Sequence, residues 1–395
     1  MKPKRLGVVS RNSHALDYRG RVTPPHAPLM RIQTFSNLCV LALSPLLVVV
    51  LSPCKPVLAQ RLPEEIGTPI SSLEDKTTAV FQDSQGDFWF GGGPKGVCRF
   101  DGEQLILFSM SDGLCSHSVL GIQEDHAGNV YFDTTEGVSK FDGEEFTTLT
   151  VVEHESSESG WKLKPDDLWF RVGWSENGPY RYDGRVLHKL RFPDIQRATD
   201  FHKKFPNASW SPYGIYTLYR DRQGAIWFGT ASLGACRFDG KSHSWLYEDH
   251  LTQTPNGGDF GIRSIIEDKS GHYWFCNPRY RYDFLSGAQS SAGGRLKYRR
   301  MRGVGNSRSV EAERYPYFMS IVEDSKGHLW MATYDGGVWQ YDGHQLVHHP
   351  IQVDEKNVLL FSIYKDRNGA LWLGSHNAGA FKHNGDKFEP FLRDI

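Results

Sequence analysis

The sequence predicts an all-β fold: a seven-bladed β-propeller with four antiparallel strands per blade. Three observations lead there. A turn signature, Asp-x-x-Gly with an aromatic three residues later, recurs along the chain. An Asp-Gly pair follows most copies roughly a dozen residues on. Short apolar stretches flank both, and helical periodicity is weak throughout. The 395 residues are 39% hydrophobic and 13% aromatic, which excludes disorder; the 40 Gly carry no triplet period, which excludes collagen.

Each repeat reads as four strands. The first is apolar, as in Ile321-Val322. The Asp-x-x-Gly turn follows, since an Asp side chain can accept from nearby backbone N–H groups and Gly tolerates the left-handed region. The second strand carries Trp89, Tyr131, Trp169, Trp227, Trp274, Trp330 or Trp372, with gaps of 42, 38, 58, 47, 56 and 42 residues. The third ends in pairs such as Arg99-Phe100 or Gln340-Tyr341, and Asp-Gly then makes a tight hairpin of the primed type. The fourth follows, as in Leu105-Ile106-Leu107-Phe108. Four strands per 40–45 residues mark a propeller blade. The third copy is degenerate and lacks Asp-x-x-Gly; the fifth has Phe284 in place of the hairpin Gly. The residue four before the turn Asp is small in all six intact copies (Ala79, Gly121, Thr217, Ser264, Ser320, Ser362), as expected where first strands converge on an axis. The Trp is expected to fill the wedge between neighbouring blades.

Residues 1–59 carry eight Lys or Arg against one acid, then an apolar run Leu38–Leu51 and Val57-Leu58-Ala59. This is the pattern of a secretory signal, with Met30 a second candidate start and an uncleaved membrane anchor the alternative. Residues 60–72 read as a lead-in and 73–395 as the propeller. Removing 1–59 leaves 37 basic and 45 acidic residues, a net charge of −8 that disfavours nucleic acid. The expected location is extracytoplasmic, in the periplasm or secreted.

These residues resemble the two-component regulator propeller repeat family. Asp112-Gly113-Leu114 precedes a blade, the Asp-x-x-Gly-x-x-Trp core follows, and Gly229-Thr230 and Gly336-Gly337 complete the look. The resemblance runs from about Leu73 to Ile395. It implies a sensor-like propeller of the kind found outside the membrane in histidine kinases, here expected to stand alone without the kinase part.

Antiparallel geometry sorts the loops. The Asp-x-x-Gly turns and Asp-Gly hairpins share one face, the turn face. The insertions Thr150–Trp161, Arg191–Tyr213, Glu248–Gly261 and Phe284–Tyr317 are expected on the other, the insertion face. Variable loops on a rigid scaffold commonly bind ligands. Candidate ligand-binding residues there are Glu136, Trp174, Glu176, Arg279, Tyr280, Tyr334, Asp335 and His376 from loops between second and third strands, and Trp210 and Tyr213 from interblade loops. Aromatics beside carboxylates and Arg suit a small polar ligand or glycan.

No catalytic residue, metal site or cofactor is expected. Glu124-Asp125, Glu267-Asp268 and Glu323-Asp324 look like paired carboxylates, but adjacent strand residues diverge, so these are structural turns. Residues 295–308 are rich in Arg and read as a solvated loop, with contact to an anionic glycan or membrane headgroup as the alternative. Cys98 and Cys236 hold equivalent positions in distant blades, so both are expected as buried thiols. The leading expectation is a non-enzymatic ligand-binding or sensing propeller. A second is a metal-dependent lyase of the streptogramin or oligosaccharide type, suggested by runs such as Gly224-Ala225-Ile226-Trp227-Phe228; it would draw on His376, His117 and Glu136. A third is a scaffold for other envelope proteins. Membrane contact is expected only through an uncleaved anchor.

Overall fold

A computed structural model describes residues 66–154, 159–173, 176–248, 251, 260–284, 294–304 and 317–392. The expected signal over residues 1–59 lies outside them. The chain divides into two compact units, Met1–Arg61 and Leu62–Ile395, and the second carries the fold. It is the expected all-β, seven-bladed propeller.

Six blades run outward from the axis in chain order. Their first strands are Ala79–Gln82, Val119–Glu124, Ile215–Arg220, Ile265–Glu267, Phe318–Glu323 and Leu360–Lys365, in blades 1, 2, 4, 5, 6 and 7. Thr68–Ile70 pairs antiparallel with the outer strand of blade 1, Leu105–Phe108, so the lead-in adds a fifth strand there and does not complete the last blade. Among the described residues the ring closes by hydrogen bonds and a single β-bridge, with no strand shared between blades 7 and 1. Thr77 N–H donates to Ser375 O (2.9 Å), Ser362 Oγ to Thr78 O (2.7 Å), and Arg367 N–H to Gln82 Oε1 (3.0 Å).

The Asp-x-x-Gly turns are structural. In blade 1, Asp83 Oδ1 accepts from the backbone of Gln85, Gly86 and Asp87, while Oδ2 accepts from Trp89 Nε1 at 2.7 Å. Trp227, Trp274, Trp330 and Trp372 bond Asp221, Asp268, Asp324 and Asp366 in the same way, and Tyr131 OH bonds Asp125. The hairpin after Phe100 places Gly102 (φ 105°) first of its two central residues, the Gly-first form of a primed turn. Each indole packs on the following blade, as expected. Trp89 meets Phe132 at 5.2 Å, Trp227 meets Tyr273 at 5.1 Å, and Trp372 meets Phe88 of blade 1 at 4.4 Å. The residue before the turn Asp serves the preceding blade: Glu124 Oε1 accepts from Ser84 N–H, Glu267 Oε2 from Arg222 N–H, and Glu323 Oε2 from Lys269 N–H. The paired carboxylates therefore diverge, one inward to its own turn and one sideways.

Blade 3 departs from four antiparallel strands. Its order is Leu168–Phe170, Tyr180–Tyr182, Leu187–Lys189, then Val151–Glu153 running parallel on the outside. Among the described residues no strand stands on the axial side of Leu168–Phe170. The segment that would supply it is diverted outward. Trp161 wedges against His243 (4.2 Å) and Phe238 (4.9 Å) of blade 4, and its Nε1 donates to Arg191 O.

Two further expectations are corrected. The insertion Phe284–Tyr317 is not one loop on the insertion face, because Tyr298–Arg302 forms the fourth strand of blade 5 against Tyr280–Phe284. The Arg-rich stretch is accordingly no free loop over its described part. Arg299 pairs with Asp283 (2.9 Å) and Arg300 with Glu248 (3.0 Å), while Gly294–Arg295 adds in parallel to blade 4. The insertion Arg191–Tyr213 holds a helix, Gln196–Lys204, with Ala198 and Phe201 buried. Cys98 and Cys236 are free buried thiols, as expected; burial pushes Cys98 up to about 12.

Candidate functional site

The second strand of an ordinary blade places a small residue two after its Trp: Gly91, Gly229, Cys276, Ala332 and Gly374. The reason is steric. A Cβ on Gly229 would lie 2.3 Å from Ile262 O, and one on Gly91 would lie 2.8 Å from Val119 Cγ1, both at the next blade's approach to the axis. Blades 2 and 3 carry Asp133 and Arg171 at this position. They have room because blade 3 lacks its axial strand.

These two residues take over what the strand would have done. Asp133 is 2% exposed. Its Oδ2 accepts from Arg171 N–H (3.0 Å) and Arg171 Nε (3.3 Å), and its Oδ1 from Val172 N–H (2.9 Å). The guanidinium then crosses the gap, donating to Leu120 O of blade 2 and Tyr216 O of blade 4. Val172 is held at φ 51°, a costly conformation for a β-branched side chain, worth about 1–3 kcal/mol. Farther along the gap, Gln123 Nε2 donates to Trp169 O (2.7 Å) and Arg220 Nη2 to Asp167 O (2.8 Å). Side chains from both neighbours thus satisfy the backbone edge that a strand would otherwise cover.

Beside this strut lies an axial cavity of about 940 Å³. Its wall includes Ala79, Gly121, Thr217, Ser320 and Ser362, the small residues expected on the axis. Polar and aromatic groups join them: Gln123, Glu124, Asp133, Arg171, Arg220, Arg263, Tyr216, Tyr219, Phe361 and Tyr364. Arg263 lies over the Tyr216 ring at 4.4 Å. Burial lowers the pKa of Arg220, opposed by Asp167 and Asp166, and raises those of Tyr219 and Tyr364. Trp169 Nε1 is buried without a hydrogen-bond partner, because Leu163 stands where other blades have the turn Asp. Asp167 instead accepts from the buried Arg181 at 2.9 Å.

Of the ten residues expected to bind ligand, Trp174 lies outside the described residues, and none of the other nine lines this cavity. Glu136 and Asp335 are exposed loop tips. Glu176 is 3.4 Å from Lys189 Nζ. Arg279 is exposed near the Tyr280 ring, which also carries Arg300 at 4.4 Å. Tyr334 O accepts from Leu360 N–H. Tyr213 is a core residue: its OH accepts from Ile195 N–H, and its ring packs on Phe192. Trp210 is 45% exposed beside Phe201. His376 packs on Phe361, which does line the cavity, and burial lowers its pKa. His117 Nε2 accepts from Met110 N–H. Among the described residues no group of three or more His, Cys, Asp or Glu is arranged to hold a metal ion. The missed residues had a visible signal, an acid and a base at a position otherwise small, in two successive repeats.

Residues 209–232 and 314–335, which lead into blades 4 and 6, match the two-component regulator propeller repeat. No curated protein sequence matches the chain. Among solved structures, the extracellular domain of a proposed one-component system from B. thetaiotaomicron is similar at 19% identity and a TM-score of 0.52, over 80% of this chain and 40% of that one. Virginiamycin B lyase from Staphylococcus aureus is similar at 12% identity and TM-score 0.55, over 80% and 97%. PorZ, a surface component of the type-IX secretion system of Porphyromonas gingivalis, is similar at 16% identity and TM-score 0.52, over 78% and 46%. At these identities the likeness is one of fold, and the chain spans about 40% of the first of these relatives. No helix among the described residues is long and apolar enough to cross a membrane. The repeat read from the sequence in every intact blade is thus matched in two of them, and the chain carries the two-component regulator propeller repeat in blades 4 and 6.

Proposed function

We propose that this chain is an exported, sensor-like binding propeller that takes a small polar ligand in the axial cavity beside blade 3. The observation that carries the reading is the missing axial strand, whose space is bridged by charged side chains instead of being filled by apolar ones. The cavity volume falls within the usual range of ligand sites, about 300–1,000 Å³. Its wall mixes aromatic faces with guanidinium, carboxylate and hydroxyl groups, which suits a sugar-sized polar molecule. Strain held at Val172 fits a built site, since such strain concentrates at functional positions. Export is supported by the basic start and apolar run of residues 1–59.

The test is a thermal-shift screen of the chain from Leu62, which carries every described strand, against neutral and acidic sugars and amino acids. One class is expected to raise Tm, by about 2.7 kcal/mol of stabilisation at a hundredfold excess over Kd. Ala79→Phe, which fills the axis, is expected to abolish that rise. No stabilising compound, or a rise that survives Ala79→Phe, would overturn the reading.

A further inference from the structure

We infer that the insertion face docks on an anionic lipid surface through the helical insertion after blade 3. This goes beyond the ligand reading and does not depend on it. The helix Gln196–Lys204 buries Phe201 and leaves Phe205 39% exposed and Trp210 45% exposed. The three rings form one cluster, with Phe201 5.1 Å from Phe205 and 6.1 Å from Trp210. Lys203 and Lys204 close the helix, and Lys204 Nζ lies 5.2 Å from the Phe205 ring. Asp200, the helix's one acid, accepts from Gln196 Nε2. Exposed rings beside uncompensated lysines match the apolar depth and negative surface of a bilayer interface.

Two further observations bear on this face. Met110, 54% exposed, rides on the link from blade 1 to blade 2 and faces the same way as the helical insertion, because both follow a fourth strand. Gly67 N–H donates to Asp112 Oδ1 (2.9 Å) on that link. The lead-in strand Thr68–Ile70 therefore begins at the insertion face.

The experiment is co-sedimentation of the chain from Leu62 with phosphatidylcholine vesicles, with and without phosphatidylglycerol, and with a soluble sulfated polysaccharide as competitor. The expected result is salt-sensitive binding to the anionic vesicles only. Each basic residue near such a surface is worth about fivefold, so Lys203→Ala with Lys204→Ala should weaken partitioning by roughly 30-fold. Phe205→Ser should weaken it about tenfold with Tm unchanged, which separates a lost anchor from a lost fold. Failure to bind anionic vesicles, binding indifferent to these substitutions, or binding to the polysaccharide in preference to vesicles would each overturn the proposal. The sugar screen above reads the axial cavity separately, so the two readings fail independently.

Discussion

Blades 3 and 4 are neighbours built from the same repeat, and they solve the same problem differently. Blade 4 has its axial strand, its turn acid Asp221 under the Trp227 indole at 3.0 Å, and Gly229 where the next blade presses close. Blade 3 has lost the strand and the turn acid, leaves Trp169 Nε1 unpartnered, and puts Arg171 where the glycine would be. The ring survives because a strand's structural duty is mainly to satisfy backbone groups and to space its neighbours. One guanidinium held by one carboxylate does both over a short span, at the cost of burying charge. The contrast shows that an axial strand is replaceable where the flanking blades supply donors and acceptors, and that the replacement leaves space a strand would fill.

The sharpest way to break the comparison is to cut the strut. Arg171→Leu leaves Asp133 buried without its cation, and the expected loss is about 3–5 kcal/mol, read as a fall in the denaturant midpoint. A loss under about 1 kcal/mol would mean the strut is ornamental. Next in size is the seam between the two blades. His243, packed on Trp161, is lowered to about 4 by burial. Below pH 6.5 the unfolded chain takes up this proton while the folded chain does not until pH nears 4, so stability is lost as pH falls through that window. The contribution is up to roughly 3 kcal/mol, and His243→Phe should flatten that part of the Tm–pH profile. The smallest effect compares the indoles. Trp227→Phe gives up a buried bond to Asp221, whereas Trp169→Phe gives up none. Trp227→Phe should therefore cost about 1–2 kcal/mol more by chemical denaturation. Equal costs would mean that the acid–indole bond contributes nothing net.

Much of the fold was legible because its signals are local. Asp83, Gly86 and Trp89 lie within one turn and one strand, and each type is needed for a reason that the neighbours in sequence supply. The residues small at the axis, such as Ser320 and Ser362, were readable from recurrence. The candidate site was less legible. Insertion length pointed to the insertion face, but Tyr213 and Tyr280 are there to pack the insertions. The Arg-rich stretch read as a loop because charge masks strand alternation, yet Arg299 and Arg300 find Asp283 and Glu248 across strands that no local pattern links. Asp133 and Arg171 stand out in the sequence as charges at a position otherwise small, but what they do was not legible. Their meaning depends on a strand that is absent, and absence is seen only once the ring is assembled.

The closing contacts between blades 7 and 1 have a kinetic corollary. Tyr364 OH accepts from Gln82 N–H, and Ser362 Oγ donates to Thr78 O, across more than 280 residues of chain. Every other blade junction joins consecutive repeats, so those steps search short loops, while this one must bring the two ends of a long arc together. Among the described residues no exchanged strand fastens the joint. Assembly should therefore proceed blade by blade and finish there, and the joint should be the first place to admit deuterium when the ring breathes.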